Sequence, residues 1–505
     1  MATSQRFVGR SGRGGFVGVG GRSPAVERRA RRVAPPSAPT TPGGSATFQT
    51  KSNPAGSLRN ETRSRRAARP CALRSDEDYR RAVRASWRRL ILWRARRSAA
   101  QDEQEQVVVE KVAVCGGGAF GTALATVLAR KYGEAAVTVL VRDAEVARSI
   151  SEDHVNPRVE WTLPGNVRGT TSPADALEGC DLIVWAIPVQ ASTSFVEKVK
   201  DHVPPRVPVV SVSKGLEVTS CRTMHEVLER ALGEDQPLVA LSGPSFAKEV
   251  MEGLPTNLVA ASEDERHARF VQQVFASPTL RVNVTRDVMG VEIGGALKNV
   301  VAIAAGIVDG LGLGNNALSA LVAQGTAEIR WLAVRMGAEA STITGIAGVG
   351  DIMLTSFVNL SRNRTVGVRL GKGESLDEIL SSMTQVRSSN SVFFFLGGGR
   401  AKETGMLTTL SYMCCISFLP QVAEGVKTAQ VVIALAKKYN LVLPVLTAVA
   451  QVVDGQIDAK EAVDTVMTFP QIDDVDRGYD FYKEGEPTAA SPSSSREPSN
   501  ELSGV

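Results

Sequence analysis

The run QVVVEKVAVCGGGAFGTALATVLARKYGEAAVTVLVRDAE, ending at Glu145, constrains this chain more than any other stretch. An apolar strand from Val112 to Cys115 breaks at glycines, a helix follows from about Phe120 to Lys131, and a second strand from Val137 to Val141 ends at Arg142 and Asp143. This is a β-α-β unit carrying G-x-G-x-x-G at Gly116, Gly118 and Gly121. Gly116 permits the tight turn, Gly118 lets backbone amides approach a pyrophosphate, and Gly121 allows close helix packing with the helix N-terminus facing the anion. Glycine-rich turns also arise for steric reasons alone, but strand, helix and second strand in this order favour a dinucleotide site. An acid after the second strand would hold the ribose of NAD, and an Arg there the extra phosphate of NADP. Arg142 and Asp143 supply both, so NAD is the expected cofactor and NADP the alternative.

The alternation continues through CDLIVWAIPVQ, VPVVSVSKGLE and PLVALSGPSFAKEV, each an apolar strand ending in a polar or Pro/Gly loop. In a parallel sheet these loops gather at the carboxyl edge, which would bring Lys214 and Ser245 to the cofactor crevice. After LRVNVT the period changes, and from about Val288 the chain reads as helices. The expected architecture is an α/β Rossmann-type nucleotide-binding domain over 107–286 followed by an all-α substrate domain over 287–480, with a ligand cleft between them.

Charge is divided unevenly. Residues 1–106 carry 23 Lys and Arg against 8 Asp and Glu, a net +15, so within a whole-chain charge of +5 the remainder carries −10. An acidic body lacks the basic surface that nucleic-acid binding requires. The arm up to Ser75 holds 14 Arg with only Glu27 and Glu61 as acids, too little apolar surface to offset ordering entropy. Acid-poor, Arg- and Ser-rich N-termini read as organellar targeting sequences, and RRLILWRARRSAA as a basic amphipathic turn at the end of one. The start MATS is not a strongly amphipathic helix, which favours the plastid stroma over the mitochondrion, with a disordered cytosolic arm as the other reading. Residues 1–106 are therefore expected to be a transit peptide and disordered arm, and 481–505 a disordered polar tail. No apolar run is read as approaching the ~18 residues that cross a bilayer, so a soluble protein is expected. Six cysteines without CxxC spacing read as reduced thiols, and no metal-ligand set is apparent.

Lys298 is the anomaly of the helical half, lying among Gly, Ala and Val where a lysine must lose hydration. Burial would lower its pKa and favour general acid/base use, against the plain alternative of a side chain that reaches back to solvent. Asp351 and Thr355 are four apart and share a helical face, although Asp351 would serve equally as an N-terminal helix acid. SRNR offers Ser361 as N-cap, with Arg362 and Asn363 as donors beside free backbone amides, a phosphate receptor in composition.

Taken together, GGGAFGTALA, VSKGLE, SGPSFAKEV, GVEIGGALKNVVAIAAGIVDGLGLGNNALSALVAQGTAEI, GVGDIMLTSFVNLSRNR and VAEGVKTA resemble the NAD-dependent glycerol-3-phosphate dehydrogenases of the bacterial and plastid type, over roughly 110–385 and 422–470. The resemblance implies reversible NAD(P)H-dependent reduction of dihydroxyacetone phosphate to sn-glycerol 3-phosphate, a glycerolipid backbone. It implies that Lys298 exchanges the proton at the C2 oxygen and that Lys214 touches both substrate and nicotinamide. Gly243, Ser245, Asp351, Thr355, Ser361, Arg362 and Asn363 would line the substrate site, with Lys214, Lys298 and Asp351 as the catalytic group. Ala119, Phe120, Arg142, Ala247, Arg362, Val422 and Glu424 would contact the cofactor beside the three glycines, and a homodimer is the expected assembly. Another hydroxy-acid dehydrogenase of the same architecture, or an inactive dinucleotide-binding protein, is the competing reading.

The sequence departs from that pattern at 386–421, a segment with triple Phe, triple Gly and paired Cys. Its removal joins Gln385 to Val422 and restores SSMTQVAEGVKTAQ, the continuity the resemblance demands. Its 36 residues are whole codons whose ends admit splice-site sequences, so it reads as a retained intron, with a lineage-specific loop as the alternative.

Overall fold

The computed structural model describes residues 75–102, 107–159, 161–389, 423–469 and 479–480. The polar tail, the segment 390–422 and Val422 with it, and the arm before Ser75 lie outside the described residues. The chain divides into two compact units, one up to Leu92 and one from Trp93 onward. Helix α1 (Asp76–Asp102) begins in the first and lies inside the arm expected to be disordered. Its Arg, Ala and Leu are good helix formers, and the Ser75 hydroxyl accepts the Asp78 N–H at 3.1 Å to cap its start.

In the second unit β1 (Lys111–Cys115), α2 (Ala119–Lys131) and β2 (Ala136–Leu140) form the expected β-α-β unit. There follow α3 (Ala144–Arg148), β3 (Val167–Thr170), α4 (Pro173–Leu177), β4 (Leu182–Trp185), α5 (Val189–Val199), β5 (Val209–Ser211) and α6 (Met224–Leu232). Then come β6 (Leu238–Ser242), α7 (Ala247–Glu252), β7 (Thr256–Ala261), α8 (Glu265–Phe275) and β8 (Leu280–Thr285). The sheet order is β3-β2-β1-β4-β5-β6-β7-β8, parallel from β3 through β6, antiparallel between β6 and β7, and parallel again between β7 and β8. The first six strands follow the doubly wound order that binds dinucleotides outside its carboxyl ends. Both faces are covered: on β1, Val112 and Val114 enter one apolar cluster while Ala113 and Cys115 enter the other.

The helical half starts with α9 (Val288–Gly310) and continues with α10 (Gly314–Arg335), α11 (Ala340–Ile343), α12 (Asp351–Phe357), α13 (Arg362–Gly371) and α14 (Leu376–Ser389). After 423 it resumes with α15 (Glu424–Tyr439), β9 (Leu441–Val442), α16 (Pro444–Val453), α17 (Ala459–Thr468) and β10 (Tyr479–Asp480). Among the described residues it is helical except for the two-residue antiparallel pairing of β9 with β10. One expectation needs correction: by length and composition α9 is apolar enough to cross a bilayer, yet 94% of that window is buried inside the protein. It is the axis of the helical core, surrounded by α10, α12, α13 and α15.

The contact between α9 and α13 fixes the site. A Cβ on Gly306 would lie 2.1 Å from the Arg364 carbonyl oxygen, and one on Gly367 would lie 2.0 Å from that of Ile303. Gly310 and Gly371 repeat the arrangement one turn on, so the two helices meet backbone to backbone. That approach brings the N-terminus of α13 alongside the middle of α9. Alanine is the better helix former by about 1 kcal/mol, but a methyl group here must push the helices apart. Gly367→Ala should therefore lose about 1–3 kcal/mol, the range for overpacking, read as a lower urea midpoint. An unchanged or raised midpoint would show that the contact has room to spare.

Candidate active site

A cleft opens between the carboxyl edge of the sheet and the helical core. On the sheet side the turn after β1 comes first. Gly116 has φ 109°, and a Cβ there would lie 2.6 Å from the Ala186 carbonyl oxygen. At Gly121 an added Cβ would lie 2.4 Å from the Gly116 carbonyl oxygen, so both positions need glycine. Gly118 caps α2 in extended conformation without a side-chain hydrogen bond, which leaves the first-turn amides facing the cleft for an anion. The backbone therefore fits a dinucleotide pyrophosphate.

Lys214 comes from the loop after β5 and Ser245 from the loop after β6. The Lys214 Nζ donates to Asp351 Oδ2 at 2.7 Å and to the Gly243 carbonyl at 3.1 Å, and stands 6.0 Å from the centre of the Phe120 ring. Gly243, at φ 143°, has no room for a side chain, since a Cβ would lie 2.9 Å from the Asn257 carbonyl oxygen. Its carbonyl also accepts the Ser245 hydroxyl at 3.0 Å.

On the helical side the Lys298 Nζ donates to Asp351 Oδ1 at 2.6 Å and to Thr355 Oγ1 at 3.1 Å. The Thr355 hydroxyl itself donates to the Asp351 carbonyl at 2.7 Å. Asp351, 1% exposed, thus holds one lysine on each carboxylate oxygen. Burial would raise its pKa, but the two ammonium groups outweigh burial and hold it below the ordinary carboxylate value. For Lys298 burial dominates, aided by the like charge of Lys214 and opposed by Asp351, and its pKa falls to about 8. The alternative of a lysine reaching solvent is excluded: its side chain is buried and paired.

Arg362 lies at the first position of α13 and makes no hydrogen bond to any described residue. Burial pushes its pKa down while Glu424 supports its charge. The Ser361 hydroxyl accepts the Arg364 N–H at 3.3 Å as the N-cap, and Asn363 Oδ1 accepts the Gly425 N–H at 3.1 Å. The second arginine of SRNR serves the scaffold: Arg364 donates to Ser356 and Asp309. Glu424, at the start of α15, faces the cleft, and burial raises its pKa to about 7 against the pull of Lys298, Lys214 and Arg362.

The residues singled out in the sequence assemble as follows. Gly118, Ala119, Phe120, Gly121, Lys214, Ser245, Ala247, Lys298, Thr355, Ser361, Arg362, Asn363 and Glu424 line one cleft. Asp351 lies beneath the two lysines, and Gly243 supports Lys214 through its carbonyl. Gly116 and Arg142 line an adjoining pocket at the far end of the β1 turn. There Asp143 is consumed as the N-cap of α3, accepting N–H groups from Glu145 and Val146. Arg142, Arg158 and Lys198 line that pocket, and among the described residues no carboxylate does. Three cations suit the extra phosphate of NADP. Sequence reading missed Arg158 and Lys198, which only the turns of the chain bring to Arg142. It also missed Asn299, which lines the main cleft beside Lys298 and carried no signal beyond adjacency.

Comparison with known proteins agrees with this geometry. The family model for the NAD-dependent glycerol-3-phosphate dehydrogenase N-terminus matches residues 111–268, and that for the C-terminus matches 287–393 and 401–464. Glycerol-3-phosphate dehydrogenase [NAD(+)], chloroplastic, of Oryza sativa subsp. japonica is 48% identical over 398 residues, covering 78% of this chain and 82% of the rice protein. Glycerol-3-phosphate dehydrogenase [NAD(+)] 2, chloroplastic, of Arabidopsis thaliana is 49% identical over 411 residues, covering 80% and 89%. The crystal structure of glycerol-3-phosphate dehydrogenase from Coxiella burnetii superposes with a TM-score of 0.61 at 30% identity, covering 71% of this chain and 99% of that one. With both halves of its body matched by the family models and nearly half of its aligned residues shared with each of the two plant enzymes, this chain belongs to the NAD-dependent glycerol-3-phosphate dehydrogenase family.

Proposed function

We propose that this chain reduces dihydroxyacetone phosphate reversibly to sn-glycerol 3-phosphate, with Lys298 as the proton donor and Arg362 as the phosphate ligand. The observation that carries the assignment is the Asp351–Lys298 contact in a cleft that the Arg362 guanidinium also lines. The glycine turn and the first-turn amides of α2 would hold a nicotinamide dinucleotide, which would give or take the hydride. Arg362 and the amides at the start of α13 hold the phosphate and set the distance of the ketone from Lys298. Lys298 gives its proton to the C2 oxygen as negative charge develops there, and in the reverse direction accepts it. Asp351 and Thr355 aim that ammonium, while Lys214, held by Asp351 and Gly243, presents a second positive charge to the same oxygen. A protein that only bound a dinucleotide would have no use for a buried lysine so placed.

The Arg- and Ser-rich arm and the two relatives named as chloroplastic support residence in the plastid stroma, where the product would supply glycerolipid backbones. Import of the full chain into isolated chloroplasts tests this, and import by mitochondria alone would sink it.

Lys298→Ala should lower kcat at least ~100-fold with cofactor affinity little changed. The pH dependence has a definite sign. Reduction needs the ammonium form, so its kcat/KM should fall as pH rises through about 8. Oxidation needs the free amine and should rise over the same interval. A mutant retaining most of its activity, or identical profiles in both directions, would refute the role.

Arg362→Ala should cost about 1.5–3 kcal/mol in kcat/KM for dihydroxyacetone phosphate, the range of a charged hydrogen bond. Dihydroxyacetone itself should lose far less. Equal losses for the two ketones would show that Arg362 does something other than hold phosphate.

A further inference from the structure

We infer that α1 is a membrane-surface helix that lies on bilayers rich in anionic lipid. Tyr79, Val83, Trp87, Leu90 and Ile91 recur at spacings of three, four and one, so they share one helical face. All five are exposed, from 48% at Val83 to 64% at Trp87, an unusual state for large apolar side chains. Arg81, Arg88 and Arg89 project away from that face, while Arg84 flanks it beside Ile91 and Arg80 rises from within it. From Tyr79 to Gln101 the helix holds eight Arg and no acid, its acids being confined to Asp76, Glu77 and Asp78 in the first turn and Asp102 at the end.

Apolar stripe and cationic face together favour one occupant. A stripe ending at Ile91 covers about 13 residues, too short to span a hydrocarbon core of about 30 Å at 1.5 Å per residue. It suits burial in the headgroup boundary, with Trp87 at that level and Arg side chains reaching anionic headgroups. A nucleic acid would use the arginines and leave the apolar stripe in water. This inference is independent of the catalytic assignments, since none of these residues lies in the cleft.

The test is sedimentation of the full chain with vesicles of phosphatidylglycerol and phosphatidylcholine, against phosphatidylcholine alone. The basic residues before Ser75 are present throughout, so the decisive variant keeps every charge: Trp87→Ser with Leu90→Ser. The wild-type chain should sediment with the anionic vesicles only, and the variant should bind about 10-fold less or weaker still, with dehydrogenase activity unchanged. Arg84→Gln with Arg88→Gln should also weaken binding. Failure of the wild type to sediment, or binding unaltered by the Trp87 and Leu90 changes, overturns the proposal.

Discussion

Everything at the site depends on one carboxylate shared by two lysines. Asp351 is buried beneath the cleft, and its two oxygens take Lys214 from the sheet domain and Lys298 from the helical core. A carboxylate taken out of water without partners would be neutralised by protonation, and a lysine in α9 without a partner would lose its proton. Asp351 keeps its charge because both lysines face it, and Asp351 in turn opposes the loss of the Lys298 proton that burial and Lys214 favour. The triad is therefore also a clamp: it ties the loop after β5 to α9 and α12, the two sides between which a substrate must sit. Such buried ion pairs do little for net stability, because desolvation offsets attraction. What this one secures is geometry, with Thr355 closing the network by accepting from Lys298 and donating to the Asp351 carbonyl.

The glycine contact of α9 with α13 supplies the second fixed distance. That approach of the backbones is what brings the N-terminus of α13, with Arg362, to the same cleft as Lys298 from the middle of α9. Arg364 then locks that terminus from behind through Ser356 and Asp309. The two arginines of SRNR thus differ by helical position, Arg362 facing the cleft and Arg364 spent on scaffold.

Much of this was legible in the sequence, for identifiable reasons. The β-α-β unit announced itself because its glycines are required by backbone contacts inside one short turn. Lys298 stood out because a lysine in an apolar helix must lose hydration, and Asp351 and Thr355 because they share one helical face; that these residues pair with one another only the structure shows. The pairing of Asp351 with Lys214 was not legible, because it joins residues 137 apart across two domains. The small-residue contact of α9 with α13 was likewise silent, since glycines inside helices read as defects until the facing helix is known. The apolarity of α9 was instead understated, since by length and composition it passes as a membrane span and only its burial marks it as a core helix. Asp143 also changed meaning: a side chain expected to choose the cofactor is occupied as a helix cap, so Arg142 and its distant neighbours Arg158 and Lys198 dominate that pocket.

The balance of charge around the cleft links substrate binding to proton transfer. Lys214 and Arg362 face it as cations, Asp351 is neutralised by its lysines, and Lys298 and Glu424 both titrate near neutrality, at about 8 and about 7. With the substrate phosphate at Arg362, as proposed, a dianion arrives within reach of both groups. Its field favours the ammonium form of Lys298 and the neutral form of Glu424, because each reduces the negative charge beside it. Binding the phosphorylated ketone therefore raises the fraction of enzyme holding the proton that reduction consumes. An unphosphorylated ketone carries no such field, so it would lose both its anchor and part of its proton donor. Discrimination for a phosphorylated substrate then resides in the chemical step as well as in affinity.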